Sequence, residues 1–337
     1  MLKVKKCGNI FGVYKRFMIN YTIIIPHYNS PELLMRCLKS IPIREDVQVI
    51  VVDDCSPGFN DYKDQYKELS RPYVEVYTTL RGGSAGRARN IGLKHAKGKW
   101  LTFADADDFF DEKLEEIMDR YVDNDADIIY FNRRSVQSED ITIPANRQNH
   151  YDVYFKKYAV DGNEDLFRFA YDSPVSKFIK ASLVLDNNIQ YDEIRYGNDC
   201  FFSTATGCVA KKILPINYPL YVVTVRDGSL TASFGKKPNE LVTRAWAAIH
   251  CQSEINKNGY KYKNNYPTML ASMVIYKDYR NCLRLLHILP NYGLSKRSAF
   301  SGMIKNAKRY AAVTIVLFVT LLFGELFHVS FKKPTVI

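Results

Sequence analysis

The sequence predicts an α/β chain: a mostly parallel sheet with flanking helices, followed by a C-terminal helical region that associates with a membrane. Three observations carry this expectation. Short apolar runs rich in β-branched residues alternate with helical stretches through the first 131 residues, and such alternation calls for parallel strands joined by right-handed crossovers. Those runs end in polar and acidic clusters, as strands do when they deliver side chains to a crevice beyond their carboxyl ends. From residue 236 onward the chain turns helical and basic, with 16 Lys+Arg against 4 Asp+Glu, whereas the first 235 residues carry 31 and 32. At 337 residues and a net charge of +11, the chain is long enough for one large or two modest domains with a packed core.

Tyr21 to Ile25 is a continuous apolar run stopped by Pro26-His-Tyr-Asn-Ser30-Pro31, which reads as a buried strand and its loop. Ser30 offers an N-cap and Pro31 a first helical position. Leu34, Leu38 and Ile41 then line one face of a helix, and Val47 to Val52 forms the next strand, ending in Asp53-Asp54. A third strand is expected at Tyr73 to Tyr77. The loop Arg81-Gly-Gly-Ser-Ala-Gly-Arg-Ala-Arg-Asn-Ile-Gly92 follows it and opens a helix reaching about Lys97. This loop is neither a Walker A loop nor a dinucleotide fingerprint. Arg87 and Arg89 are either diphosphate partners, a strong charge-assisted pairing, or ordinary solvated helix residues.

Trp100 to Ala104 is the fourth strand and runs straight into Asp105, Asp107 and Asp108. Two carboxylates one residue apart at a strand end suit a divalent ion that keeps some of its waters and takes phosphate oxygens as well. The alternative is that these acids cap the next helix, whose first turns already hold Asp111, Glu112, Glu115 and Glu116. Asn29, Asp53, Asp54, Asp105 and Asp107 all follow expected strand ends, so a single crevice collects them. Seven cysteines without close pairs argue against a disulfide framework or a zinc site and fit a reducing cytosol. No apolar core of secretory length follows Lys3, Lys5 and Lys6, so no signal peptide is expected, and Met18 is a second candidate start.

Ile-Ile-Ile-Pro-His-Tyr-Asn29, Val-Ile-Val-Val-Asp-Asp54, Gly-Arg-Ala-Arg-Asn-Ile-Gly92 and Phe-Ala-Asp-Ala-Asp-Asp108, in this order and spacing, resemble the family 2 glycosyltransferases. The resemblance implies a GT-A-like fold on a Rossmann-type sheet, a nucleotide-diphosphate sugar donor (a UDP-sugar), a Mn or Mg ion and inversion at the anomeric carbon. Matched motif by motif, it places Pro26 and Asp54 at the base, Tyr28 among the donor contacts, Arg89 at base and diphosphate, Asp105 at the ribose, and Asp107, within a DXD motif, at the metal.

Past a helix at Glu112 to Tyr121 and a strand at Asp127 to Phe131, residues 135 to 165 read as a variable acceptor-side excursion. Ser173 to Lys180 and Asn188 to Phe202 resemble the family's acceptor half, where a Glu-Asp pair normally follows the glycine. Here it is Asn198-Asp199. The resemblance makes Asp199 the catalytic base, and the amide at 198 bears on sugar or acceptor contacts. Read on its own, Asp199 is better explained as the cap of a helix starting near Phe201. Tyr221 to Thr231 looks like the closing segment, with Arg226 and Ser229 as diphosphate or loop-closure contacts.

The resulting division is a basic extension over 1–20, a nucleotide-sugar-binding half over 21–131, an acceptor-binding and catalytic half over 132–235, a helical region over 236–295, and a membrane-associating segment over 296–337. In that last segment Phe300, Met303, Ile304, Ala307 and Ala311 form a helical stripe, with Lys296, Arg297, Lys305, Lys308 and Arg309 on other faces. Tyr310 to Phe331 then carries one formal charge, Glu325. The run is long enough to span a bilayer or to dip into it, and its basic flank places the enzyme at the cytoplasmic face of a bacterial-type cell membrane. Tyrosines interleaved with lysines near 260–280 are expected to pack in a helix bundle, with no nucleic acid as partner. The expected activity is transfer to a cell-surface glycan or lipid-linked acceptor. A sugar nucleotidyltransferase and a catalytically dead nucleotide-sugar-binding protein stand as alternatives.

Overall fold

The structure, a computed structural model, describes residues 18–145, 151–226 and 238–307. Its elements are β1 (Tyr21–His27), α1 (Pro31–Lys39), β2 (Val47–Asp53), α2 (Phe59–Tyr62), β3 (Val74–Thr78), α3 (Ala85–His95), β4 (Trp100–Phe103), β5 (Phe109–Phe110) and α4 (Leu114–Tyr121). They continue as β6 (Ile128–Gln137), α5 (Asp152–Asp161), α6 (Asp165–Phe169), β7 (Lys177–Lys180), α7 (Ala181–Leu185), α8 (Cys200–Val209) and β8 (Ile213–Val225). Last come α9 (Pro238–Lys257), α10 (Tyr266–Ile275), α11 (Tyr279–Ile288) and α12 (Lys296–Ala307).

Eight strands form one sheet in the order β3-β2-β1-β4-β7-β6-β8-β5. The first four are parallel, as their sequence pattern requires. Beyond them β7 runs antiparallel to both β4 and β6, β6 is parallel to β8, and β5 is antiparallel to β8. The sheet is therefore mixed rather than mostly parallel. An apolar run reports burial on both faces but not direction, and β7 is only four residues long, so nothing in its pattern announced the reversal.

Every residue of β1 is buried, which is what its unbroken apolar run demands. Ile23 and Ile25 join one core with Leu34 and Leu38 of α1 and Ile117 and Met118 of α4. Ile24 joins the opposite core with Ala88 and Leu93 of α3, Phe167 of α6 and Phe202 of α8. The result is a helix–sheet–helix sandwich with its strand ends free to carry a site.

A third core lies in the C-terminal helices, built from Leu270 and Met273, Leu285 and Leu286, and Ala299 and Met303. Ala299 and Met303 are fully buried, and Phe300 packs on the same cluster. The described part of the stripe expected to meet a membrane thus meets α10 and α11 instead. Amphipathic periodicity announces an apolar neighbour without saying whether it is lipid or protein. Among the described residues no helix is long and apolar enough to cross a membrane. Tyr310 to Phe331 lies outside the described residues.

Candidate active site

The site starts at the carboxyl ends of β1 and β2, where the backbone turns sharply: Asn29 has φ 46° and Cys55 φ 65°, both left-handed. Pro31 opens α1 as expected, but the Ser30 side chain makes no cap bond, and the Ser30 amide donates instead to His27 Nε2 at 3.1 Å. That bond leaves the proton on His27 Nδ1, which donates to Asp53 at 2.8 Å. Asp53 also accepts from the Ser56 amide at 2.8 Å and the Ser56 hydroxyl at 2.5 Å. Burial works to raise its pKa, yet the bonds from His27 and Ser56 hold it below the ordinary carboxylate value. Asp53 is thus a buried brace beneath the loops and stands outside the expected crevice.

Its neighbour Asp54 faces the glycine loop. It accepts from the amides of Gly83 and Ser84 at 2.8 and 2.9 Å and from the Thr79 hydroxyl at 3.1 Å. Ser84 in turn caps α3 by accepting from the Arg87 amide at 3.3 Å. Pro26 is buried within β1, and Tyr28 stands 58% exposed beside it.

Arg89 is 4% exposed and links the two halves of the sequence, donating to Asp105 at 2.6 Å and to the Asn198 side-chain oxygen at 2.9 Å. Burial opposes its charge, but Asp105, Tyr191 and Asp199 outweigh burial and raise its pKa. Arg87 instead pairs with Glu193 at 2.9 Å. After β4 the three acids separate by role. Asp107 faces Arg226 at 3.4 Å. Asp108 is buried and accepts the Thr224 amide at 2.7 Å, fastening the turn to β8. Arg36 of α1 donates to the Asp107 carbonyl at 2.6 Å and holds the turn from the other side. Burial pushes the Asp107 carboxyl upward, Asp105 pushes it the same way, and Arg226 pulls it back.

Asp199 sits at the start of α8 without making a cap bond. The capping explanation therefore fails. Burial and the nearby Asp172 push its pKa up to about 6, against the pull of Arg89. The start of α8 is held rigidly, because Phe202 is fully buried and stacks on Tyr191 with ring centroids 4.0 Å apart. Replacing such an aromatic by alanine costs about 3–5 kcal/mol.

The structure therefore brings Asp54, Arg89, Asp105, Asp107, Asp199 and Arg226 to one end of the sheet, while Ser229 lies outside the described residues. Sequence reasoning missed three groups. Arg36 belonged to no motif and was not singled out. Asp172 carried no motif. Lys177 is 1% exposed, donates to the Tyr171 carbonyl at 2.9 Å and the Ser203 hydroxyl at 3.3 Å, and lies over the rings of Tyr130 and Tyr171. Burial pushes its pKa down to about 7. A lysine between Val175 and Phe178 in a short strand was the available signal, since such a position faces a core.

The description Glycosyl transferase family 2 matches residues 22–181. The poly(ribitol-phosphate) beta-glucosyltransferase of Bacillus spizizenii is 29% identical over 218 residues, covering 61% of this chain and 32% of that protein. The poly(ribitol-phosphate) beta-N-acetylglucosaminyltransferase TarS of Staphylococcus aureus is 24% identical over 231 residues, covering 66% of this chain and 39% of its own length. The chain thus spans about a third of the length of these curated relatives. The crystal structure of S. aureus TarS 1–349 in complex with UDP-GlcNAc shares the fold, with a TM-score of 0.58 and 18% identity over 90% of this chain and 92% of that one.

Proposed function

Since residues 22–181 form a family 2 glycosyltransferase domain, we propose that the chain moves a sugar, with inversion, from a UDP-sugar to a hydroxyl of a cell-surface polymer of the polyol-phosphate kind. The observation that carries this reading is the single hub at Arg89, which holds Asp105 on the donor side and Asn198, next to Asp199, on the acceptor side. The relatives act on poly(ribitol-phosphate), which supports the acceptor class.

In this reading Tyr28, Pro26 and Asp54 receive the base, and Asp105 the ribose. The Nε–H groups of Arg89 and Arg226 are buried without a partner among the described residues, two donors suited to an anionic diphosphate. Ser229 would close the same contact. Asp199 takes the proton of the acceptor hydroxyl as its oxygen bonds to the anomeric carbon. The bond from that carbon to the diphosphate oxygen breaks on the opposite face, so configuration inverts and UDP leaves. A pKa near 6 makes Asp199 a stronger base than an ordinary aspartate while keeping it ionised at neutral pH.

The residues also fit a divalent cation. Among the described residues no three His, Cys, Asp or Glu side chains form a nest, so donor phosphates would complete the shell of a Mg or Mn ion held by Asp107. A dication beside Asp107 would favour its ionised form, which burial and Asp105 oppose. When bound, the ion neutralises the leaving diphosphate.

Titrating UDP into Asp107→Ala with and without Mn tests the assignment. The expected result is loss of Mn-dependent affinity, and undiminished Mn dependence would contradict it.

A further inference from the structure

We propose that Asp172 is a positioning residue for Asp199, a second carboxylate that fixes the orientation of the first across the Cys200 thiol. The inference rests on reading Asp199 as the general base. Asp172 follows α6 and Asp199 precedes α8, and Cys200 Sγ lies 4.0 Å from an oxygen of the former and 3.9 Å from an oxygen of the latter. The thiol carries one proton, and both carboxylates compete for it.

Asp172 is exposed to solvent but not loose. The Tyr151 hydroxyl donates to its other oxygen at 2.6 Å, and Tyr151 is itself 1% exposed and stacked on Tyr171 with centroids 4.0 Å apart. The Arg133 guanidinium lies 4.2 Å from the Tyr151 ring centroid. The Asp172 carbonyl accepts from the Ser203 hydroxyl at 3.0 Å, which ties it to the first turn of α8. Ser203 is held in turn by Lys177. Side chain and main chain of Asp172 are thus each fastened, and the helix they are fastened to begins one residue after Asp199.

Asp199 is faced by charged and titratable groups from every side. Arg89 comes from α3, Asp105 from the end of β4, Asp172 from the turn after α6, and Lys177 from β7. Tyr191 and Cys251 complete the set, with Cys200 next in the chain. Arg89 favours the anion, while Asp172 and Asp105 oppose it. Asp172 is the acid of this group with no role in holding Arg89 or the donor. Removing its charge lowers the proton affinity of Asp199 and leaves the donor site untouched.

The test is the pH profile of UDP release from UDP-glucose or UDP-N-acetylglucosamine, whichever is turned over faster, with water as acceptor. In Asp172→Asn the acidic limb should move down by about 0.5–1 pH unit, as expected for deleting one like charge at this range. The plateau rate should fall several-fold, with donor KM and UDP affinity unchanged. Cys200→Ser, whose hydroxyl oxygen falls short of hydrogen-bond distance to both carboxylates, should lose rate without moving the limb. Cys200→Ala should lose rate without moving the limb, since the two charges stay in place. A wild-type limb and plateau in Asp172→Asn would overturn the inference and leave Asp199 as the base. Wild-type turnover in Asp199→Asn would overturn the base assignment and this inference with it.

Discussion

Arg89 shows how much one residue has to satisfy here. It is buried, bonded to one acid and one amide, and within electrostatic range of a second acid, Asp199. Asn198→Glu would add a second carboxylate to Arg89 and a like charge next to Asp199. It should raise the pH at which turnover begins, and an unmoved profile would show that position 198 does not tune the base. Asp199→Asn should lower turnover roughly 100-fold at unchanged donor affinity, the usual scale for losing a general base. The same variant should be more thermostable than wild type at pH 8. The native pKa, about 6, lies above the ordinary aspartate value of 3.8, so ionising Asp199 opposes folding as pH rises through that window. Below about pH 3 the two proteins should melt together, and a constant difference across pH would contradict the raised pKa. Asp54, Arg89, Asp105, Asp107 and Asp199 were legible because each sits at a strand end or helix start within a motif. Asp172, Tyr151 and Lys177 were not, because their meaning comes from contacts between segments distant in sequence. The two adjacent acids Asp53 and Asp54 were indistinguishable by pattern, and only the His27 bond shows that the first is a brace.

At the scale of elements, the approach of α3 to the loop at 192–199 decides whether Arg89 reaches Asn198. Gly86 makes that approach possible. A Cβ there would lie 2.2 Å from the Asp192 carbonyl oxygen and 3.2 Å from the Asn198 Cβ. Gly86→Ala must push the loop away, at about 1–3 kcal/mol for an overpacked contact. Turnover should fall by about tenfold or more, while far-UV circular dichroism stays native; wild-type turnover would show that the loop tolerates the shift. From the other side α9 closes on the same loop, with His250 stacked on Phe201 at 3.8 Å and bonded to Asp192 at 3.3 Å. The glycine loop was read correctly as the opening of a helix, but its partner across the crevice could not be read from either segment alone. Similarly, α12 was legible as an amphipathic helix, and its partner was misjudged because apolar spacing is the same for a bilayer and for a helix neighbour.

For the whole molecule, the parallel half of the sheet could be read from four buried strands, whereas the mixed half could not, because β7 and β5 are too short to show a direction. The helical region has its own core that includes α12. Ending the chain before Lys296 should therefore expose Leu270 and Met273 and lower stability, whereas ending it after Ala307 should keep the described core and UDP binding. Melting curves of the two truncations check this, and equal stability would mean that α12 contributes nothing to that core. Flotation of the full chain and the longer truncation with anionic vesicles then tests whether residues beyond 307 hold a membrane. The central claim, a Mn- or Mg-assisted inverting transfer from a UDP-sugar with Asp199 as base, is tested most directly by measuring nucleotide diphosphate released from a panel of nucleotide sugars, with and without Mn. UDP release from a UDP-sugar should rise with Mn and nearly vanish in Asp199→Asn. Binding of UDP-sugars without any release, or release unaffected by Asp199→Asn, would contradict it.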